Sequence, residues 1–264
     1  MWLRRKKMRE RSWKSPWGKN SNHVIWLEPN KAAYNVNEDV EIKVFWGSVR
    51  NPEVGEYEDW LAYLLDPEGA RLELPIRREM LRFSGGKPFF FLAFKPRKSG
   101  PYTIMLENNY GVLNKLKDGD WTYGPKRYHR NVEESIYFYQ YAKTIVPVGE
   151  STQGSTRVGN ELEIITTKTG FYVNDIMELT LLCRGSPLPR AQIKAVYGIY
   201  PHIKEETAET DMNGKAGFHI KEKGVWLFVA EHKIMEGVDG EYDYKWLTAT
   251  LSLPVRGIKN AKHD

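Results

Sequence analysis

The chain has 264 residues, 41% of them hydrophobic, and a net charge of +5, which is enough to bury two cores of ordinary domain size. Its first 22 residues carry eight Lys/Arg against the single Glu10, a net +7, so the rest of the chain is slightly acidic and offers no basic body for a specific nucleic-acid contact. One cysteine excludes an internal disulfide and a CxxC metal site, and no apolar run reaches the roughly 18–20 residues that cross a bilayer.

Residues 1–22 open like the basic region of a secretory signal, Met1-Trp2-Leu3-Arg4-Arg5-Lys6-Lys7, without the apolar stretch that should come next. They are expected to be a disordered, solvated tail, with Trp2, Trp13 and Trp17 available for weak contact with an anionic membrane face. From His23 to Gly149 the chain reads as short, turn-punctuated strands, the pattern of an immunoglobulin-like sandwich. Val40 to Trp46 alternates cleanly, Trp60 to Leu65 runs into an Asp66-Pro67-Glu68-Gly69 turn, and Arg71 to Ile76 alternates again. Phe89–Phe94 and Tyr102–Glu107 are expected to pair with each other across the Pro96–Pro101 connection. Residues 108–135 are polar and aperiodic and are expected to be a long functional loop. Ile136 to Val148 reads as one long strand, and residues 150–157 as a linker.

A second sandwich is expected over residues 158–256, with 257–264 as a tail. Cys183 ends the apolar run Leu179–Cys183 and reads as a buried small hydrophobe. Gly185-Ser186-Pro187-Leu188-Pro189 leads into alternating Ile193, Ala195 and Tyr197. Asp211, Asn213 and Gly214 supply a chain reversal before Ala216 and Phe218. Val225–Ala230 and Trp246–Leu253 form a final pair. The sequence therefore predicts an all-β protein of two β-sandwich domains.

Motifs of enzymes are missing from the sequence: no Gly-x-Ser-x-Gly elbow, Walker loop, Gly-x-Gly-x-x-Gly fingerprint or His-Glu-x-x-His pair occurs. Glu53, Glu56, Glu58 and Asp59 could supply paired acids for glycoside hydrolysis, but a charged loop explains them more simply. Asp211-Met212-Asn213-Gly214 lacks the later ligands of an EF-hand loop. Tyr137, Tyr139 and Tyr141 on one strand, with Tyr242, Tyr244 and Trp246 on another, could bind a sugar or an extended peptide, and cross-strand packing uses the same residues.

Several ordered segments carry a resemblance: His23-Val24-Ile25-Trp26-Leu27-Glu28-Pro29, Tyr141-Ala142-Lys143 through Gly149, Gly185 through Ala191, Thr210 through Ala216, and Trp226 through His232. Together they resemble the uncharacterised NikM-like domain family, formerly labelled a periplasmic component of nickel and cobalt transport. The second-half segments also fit transthyretin-like and carboxypeptidase-regulatory-like modules. The resemblance implies an immunoglobulin-like domain followed by a transthyretin-like one, a periplasmic or cell-surface location, and a non-enzymatic accessory role beside membrane metal-transporter subunits. It singles out His23 and His232 as candidate ligands for nickel, cobalt, copper or zinc, with Glu28, Glu231 and His129 as further ligands, because imidazole and carboxylate suit those ions. The alternative is a structural or adhesive surface module that binds protein or glycan through loops and aromatic patches.

Overall fold

The computed structural model describes residues 23–49, 51–53, 60–80, 88–154, 157–198 and 202–259. The basic segment 1–22, the acidic Glu56, Glu58 and Asp59, part of the expected linker and His263 lie outside the described residues. In chain order the strands are β1 (Val24–Pro29), β2 (Val40–Ser48), β3 (Asn51–Glu53), β4 (Trp60–Leu65), β5 (Arg71–Glu73), β6 (Arg77–Met80), β7 (Pro88–Phe94), β8 (Gly100–Leu116) and β9 (Trp121–Tyr123). They continue as β10 (Val132–Val148), β11 (Leu162–Thr166), β12 (Ile176–Cys183), β13 (Ser186–Pro187), β14 (Gln192–Tyr197), β15 (Lys204–Glu209), β16 (Lys215–His219), β17 (Gly224–Ile234) and β18 (Tyr244–Val255). A 3-10 turn spans Lys126–Tyr128, and among the described residues no helix is long and apolar enough to cross a membrane.

The strands form three sheets. The front sheet has the order β1-β2-β7-β6 with β3 on β2, the middle sheet β15-β14-β17-β18-β10-β8-β4-β5 with β9 on β8, and the back sheet β11-β12-β13 with β16 on β12. Both halves of the chain build the middle sheet, joined where β10 runs parallel to β18 with Ile136 opposite Tyr244 and Thr144 opposite Ser252. Because side chains alternate along a strand, the middle sheet offers one face to each neighbour. Ala142, Val146 and Val148 of β10 join Ile25, Leu27, Ile42 and Leu92 under the front sheet. Tyr141 and Ile145 point the other way and join Leu162, Leu179, Leu181, Trp226 and Phe228 under the back sheet. The result is an all-β, three-layer arrangement in which two sandwich cores lie on opposite faces of one shared sheet.

Polar residues in the middle of this sheet have a structural purpose. β1 ends the front sheet, yet Val24, Ile25, Trp26 and Leu27 are all buried, so its free edge meets protein instead of water. The Gln140 side chain donates to the His23 carbonyl at 2.7 Å, and the Thr250 hydroxyl to the Ile25 carbonyl at 2.8 Å. These bonds satisfy acceptors that burial would otherwise strand.

Several expectations change. β7 and β8 do not pair: β7 lies between β2 and β6 in the front sheet, and β8 between β10 and β4 in the middle one. The connection between them can span the roughly 10 Å between packed sheets, and the Tyr102 hydroxyl fixes the corner by accepting from the Arg97 and Lys98 amides at 3.2 and 3.1 Å, the device of an immunoglobulin tyrosine corner. The supposed 108–135 loop is mostly strand, since β8 continues to Leu116 and β10 begins at Val132. At Asp211 the predicted reversal is present, with Oδ1 accepting from the Asn213 and Lys215 amides, both at 2.8 Å, but its strands β15 and β16 belong to different sheets. Arg71 to Ile76 gives only the short β5 at the sheet's end, with Leu72 exposed. Cys183 is half-buried against the back core, and burial pushes its thiol pKa up.

Candidate functional site

The structure does not bring the five candidate metal ligands together. Along β17, Trp226, Phe228 and Ala230 face the back core, whereas Leu227 and Val229 pack with Trp26 on the front side. Continued alternation puts Glu231 on the front side, in register with Thr248, and His232 on the back side, in register with Leu247. His23 precedes β1 on the front side, its ring 4.7 Å from that of Trp46. His23 and Glu231 thus share a side of the middle sheet and His232 does not. Glu28, at the far end of β1, accepts from the Trp26 indole at 2.8 Å; burial raises its pKa, opposed by that bond and by Lys43. His129 is half-buried, with its Nε2 2.8 Å from the Tyr123 carbonyl oxygen. Among the described residues, no three His, Cys, Asp or Glu side chains converge as a metal site.

The aromatic rows are packed, not free. Tyr139 lies against Tyr141 at 4.6 Å and Tyr137 against Tyr242 at 5.3 Å between ring centres. Tyr63 and Tyr139 both donate to Glu107, at 2.8 and 2.6 Å. Burial first, and that carboxylate second, raise both phenol pKa values. Tyr242 precedes β18 and does not share a strand with Tyr244 and Trp246.

A recessed surface forms where β8, β9 and β10 project past the two cores. There a small apolar cluster of Leu113, Ile136, Phe138 and Tyr244, flanked by Tyr110, Trp121, Tyr123 and Trp246, supports two loops. One loop carries the Lys126–Tyr128 turn, and the other joins β17 to β18. Their backbones are tied directly: the Lys126 amide donates to the Glu241 carbonyl at 2.9 Å and the Arg127 amide to the Gly240 carbonyl at 2.8 Å. Ion pairs Lys126–Asp243 and Arg127–Glu241 reinforce the seam. Asp243 also accepts from the Ser135 amide at 2.9 Å, and the buried Ser135 hydroxyl donates to Asn114 at 2.6 Å. Gly237 is required for closure, since a Cβ there would sit 2.6 Å from the Asp243 carbonyl oxygen.

Between the loops lies an open cleft of about 550 Å³, lined by residues 126, 127, 129 and 132 of one segment and 237–240, 242 and 243 of the other. Its walls present the Lys126–Asp243 pair, Arg127 held by Glu241, Asp239, the His129 imidazole and the Tyr242 ring; no Ser, Thr or Cys is among the lining residues. Tyr128, Met235 and Val238 are exposed on these same loops, at 70%, 75% and 47%. Exposed apolar side chains on the loops that hold fixed donors and acceptors suit the docking of a ligand. Sequence reading passed over this site because its two loops lie more than a hundred residues apart; the local signal was Gly237-Val238-Asp239-Gly240, a tight turn placed directly before a strand.

Comparison with solved structures finds low-scoring β-domain similarities. The Escherichia coli adhesin FdeC is 14% identical at a TM-score of 0.25, with 91% of this chain and 67% of that one covered. A tetra-tandem repeat from the extending region of a large adhesion protein is 9% identical at a TM-score of 0.24, with 89% and 50% covered. A DUF4785 family protein of Legionella pneumophila is 9% identical at a TM-score of 0.28, with 80% and 53% covered. The chain therefore spans about half the length of the last two, and scores of this size carry no functional argument. No curated protein matches the chain. A family model described as a domain of unknown function covers residues 21–234, from just before β1 through β17, and its description names neither nickel nor transport. That match extends over well more than half of the sequence, and the chain belongs to the DUF4198 family.

Proposed function

We propose that this chain is a non-enzymatic binding module of the cell envelope or cell surface, with the cleft between residues 126–132 and 237–243 as its recognition site. The observation that carries the reading is the double backbone tie of Lys126 and Arg127 to Glu241 and Gly240, which fixes both walls before a ligand arrives. Preorganised walls lose little entropy on binding. The paired charges favour a ligand rich in hydroxyl or amide groups, a glycan or a segment of another protein, over a single ion. The envelope location rests on the family resemblance of the His23–Pro29 and Tyr141–Gly149 segments.

The test is to screen the full chain against arrayed oligosaccharides and against envelope proteins, beside Tyr242→Ala and Arg127→Glu. Binding reduced tenfold or more by both substitutions supports the cleft. Binding indifferent to both moves the site elsewhere. Calorimetric titration with nickel, cobalt, copper and zinc is the opposing arm: tight binding lost in a His23→Ala, His232→Ala variant would restore the metal-handling reading in place of this one.

A further inference from the structure

Lys143 and Glu163 stand out because charged side chains are seldom fully buried, and theirs are only 3% and 2% exposed. Lys143 sits in the middle of β10 between Met105 of β8 and Leu251 of β18, and alternation with Tyr141 and Ile145 turns it toward the back sheet. Glu163 lies on β11 of that sheet, and its Oε1 accepts from the Lys143 ammonium at 2.8 Å. Two backbone amides complete the carboxylate's surroundings: Val158 donates to Oε1 at 2.9 Å and Gly159 to Oε2 at 3.0 Å. Neither cleft loop contributes to this buried pair, whose chemistry is independent of the proposed binding function.

We propose that Lys143 and Glu163 become joined by an intramolecular amide, a covalent cross-link between the middle and back sheets. Burial pushes the Lys143 ammonium towards the neutral amine, whereas at Glu163 burial is outweighed by Lys143 and the Val158 and Gly159 amides, which together hold the carboxyl below its ordinary pKa, so the proton transfer that follows is the uphill step. Passage of one proton from Nζ to Oε1 along the existing hydrogen bond converts them into a neutral amine and a neutral acid. The amine is the competent nucleophile, and the fold holds it beside its target, so reaction at a high effective concentration replaces a bimolecular encounter. Nζ then attacks Cδ, and the Gly159 amide stabilises the charge that develops on Oε2. The Nζ–Cδ bond forms and the Cδ–Oε1 bond breaks. Oε1 leaves as water with two of the three ammonium protons, and the third remains on the amide nitrogen. Oε2 becomes the amide carbonyl oxygen and keeps its bond from Gly159. Atoms and electrons balance without an oxidant, reductant or activating nucleotide. Arg157 and Gly159 are exposed, which gives the departing water a short exit. The dry interior then protects the product from hydrolysis.

The experiment is intact-mass spectrometry of the full chain under denaturing conditions, with Lys143→Arg and Glu163→Ala measured in parallel. The wild type is expected to be lighter than its sequence by one water, and both variants to show their full sequence masses. Fragmentation should place the loss within residues 131–168 as a branch between Lys143 and Glu163. A wild-type chain at its full sequence mass overturns the proposal, and so does an equal loss in the variants. The wild-type measurement decides the matter alone should either variant fail to fold.

Discussion

Strands β8 and β10 run side by side for their whole length, yet their inner and outer halves are different materials. The inner halves, Pro101 to Leu106 against Tyr141 to Val148, are continuously buried between the front and back sheets. The outer halves, Asn108 to Leu116 against Val132 to Tyr139, are mostly half-buried with a few buried positions among them, and hold buried Asn114 and Ser135 bonded to each other. The first region is stabilised by apolar area. The second depends on a small aromatic cluster and on satisfied polar pairs, and it carries the cleft. A rigid body supplies the foundation, and the polar extension carries the cleft proposed as the recognition surface.

Removing comparable core groups from the two regions separates them most strongly. Ile145 and Leu113 are both essentially inaccessible to solvent. Ile145→Ala, held between sheets that cannot collapse, is expected to lose about 4 kcal/mol of unfolding free energy in urea, near the top of the range for such truncations. Leu113→Ala is expected to lose about 2 kcal/mol, because the projecting cluster can relax around the gap. Equal losses would show that both regions are stabilised by equally rigid packing. Next in size is the capped edge of β1. Gln140→Ala removes the bond to the half-buried His23 carbonyl and should lower stability by about 1 kcal/mol, read as a shift in urea midpoint without a change in slope. A negligible loss would mean that water replaces the side chain at this edge.

These differences also explain what the sequence made legible. Val40–Trp46, Ile136–Val148 and Trp246–Leu253 follow the period of a half-buried or buried strand, and each is one. The outer half of β8 escaped notice because Asn108, Asn109, Gly111 and Asn114 interrupt its apolar positions, and the partners that make Asn114 tolerable come from distant residues. β15 escaped for another reason: Lys204-Glu205-Glu206-Thr207-Ala208-Glu209 is a charged end strand, the composition that discourages pairing with another chain. The separation of Glu231 from His232 was readable, since neighbours on a strand face opposite ways. Residue type alone had grouped them.

His232 provides a smaller, pH-dependent contrast between the two faces. Burial lowers its pKa from the ordinary 6.5, so the unfolded chain binds the proton more tightly than the folded one. Its contribution is therefore present above about pH 6.5 and is lost as the pH falls through the lower folded-state value. Wild type should lose more melting temperature between about pH 7.5 and 5.5 than His232→Gln. Parallel curves would show that this imidazole charges without penalty in the fold.

The smallest expected effect lies at the cleft itself. Arg127 and Glu241 pair across the two loops with their side chains 47% and 31% exposed, a setting in which solvent screens most of the attraction. A double-mutant cycle with Arg127→Ala and Glu241→Ala should give a coupling below about 1 kcal/mol for stability. The same two substitutions should weaken ligand capture by more than their stability effect, because each leaves the loop backbones tied while freeing or removing the Arg127 donor that lines the wall. A coupling of several kcal/mol would instead make the pair a structural clamp and shift recognition toward Tyr242 and the exposed Tyr128, Met235 and Val238. The size of this one coupling therefore decides whether charge at the tip of the molecule holds the cleft together or faces what enters it.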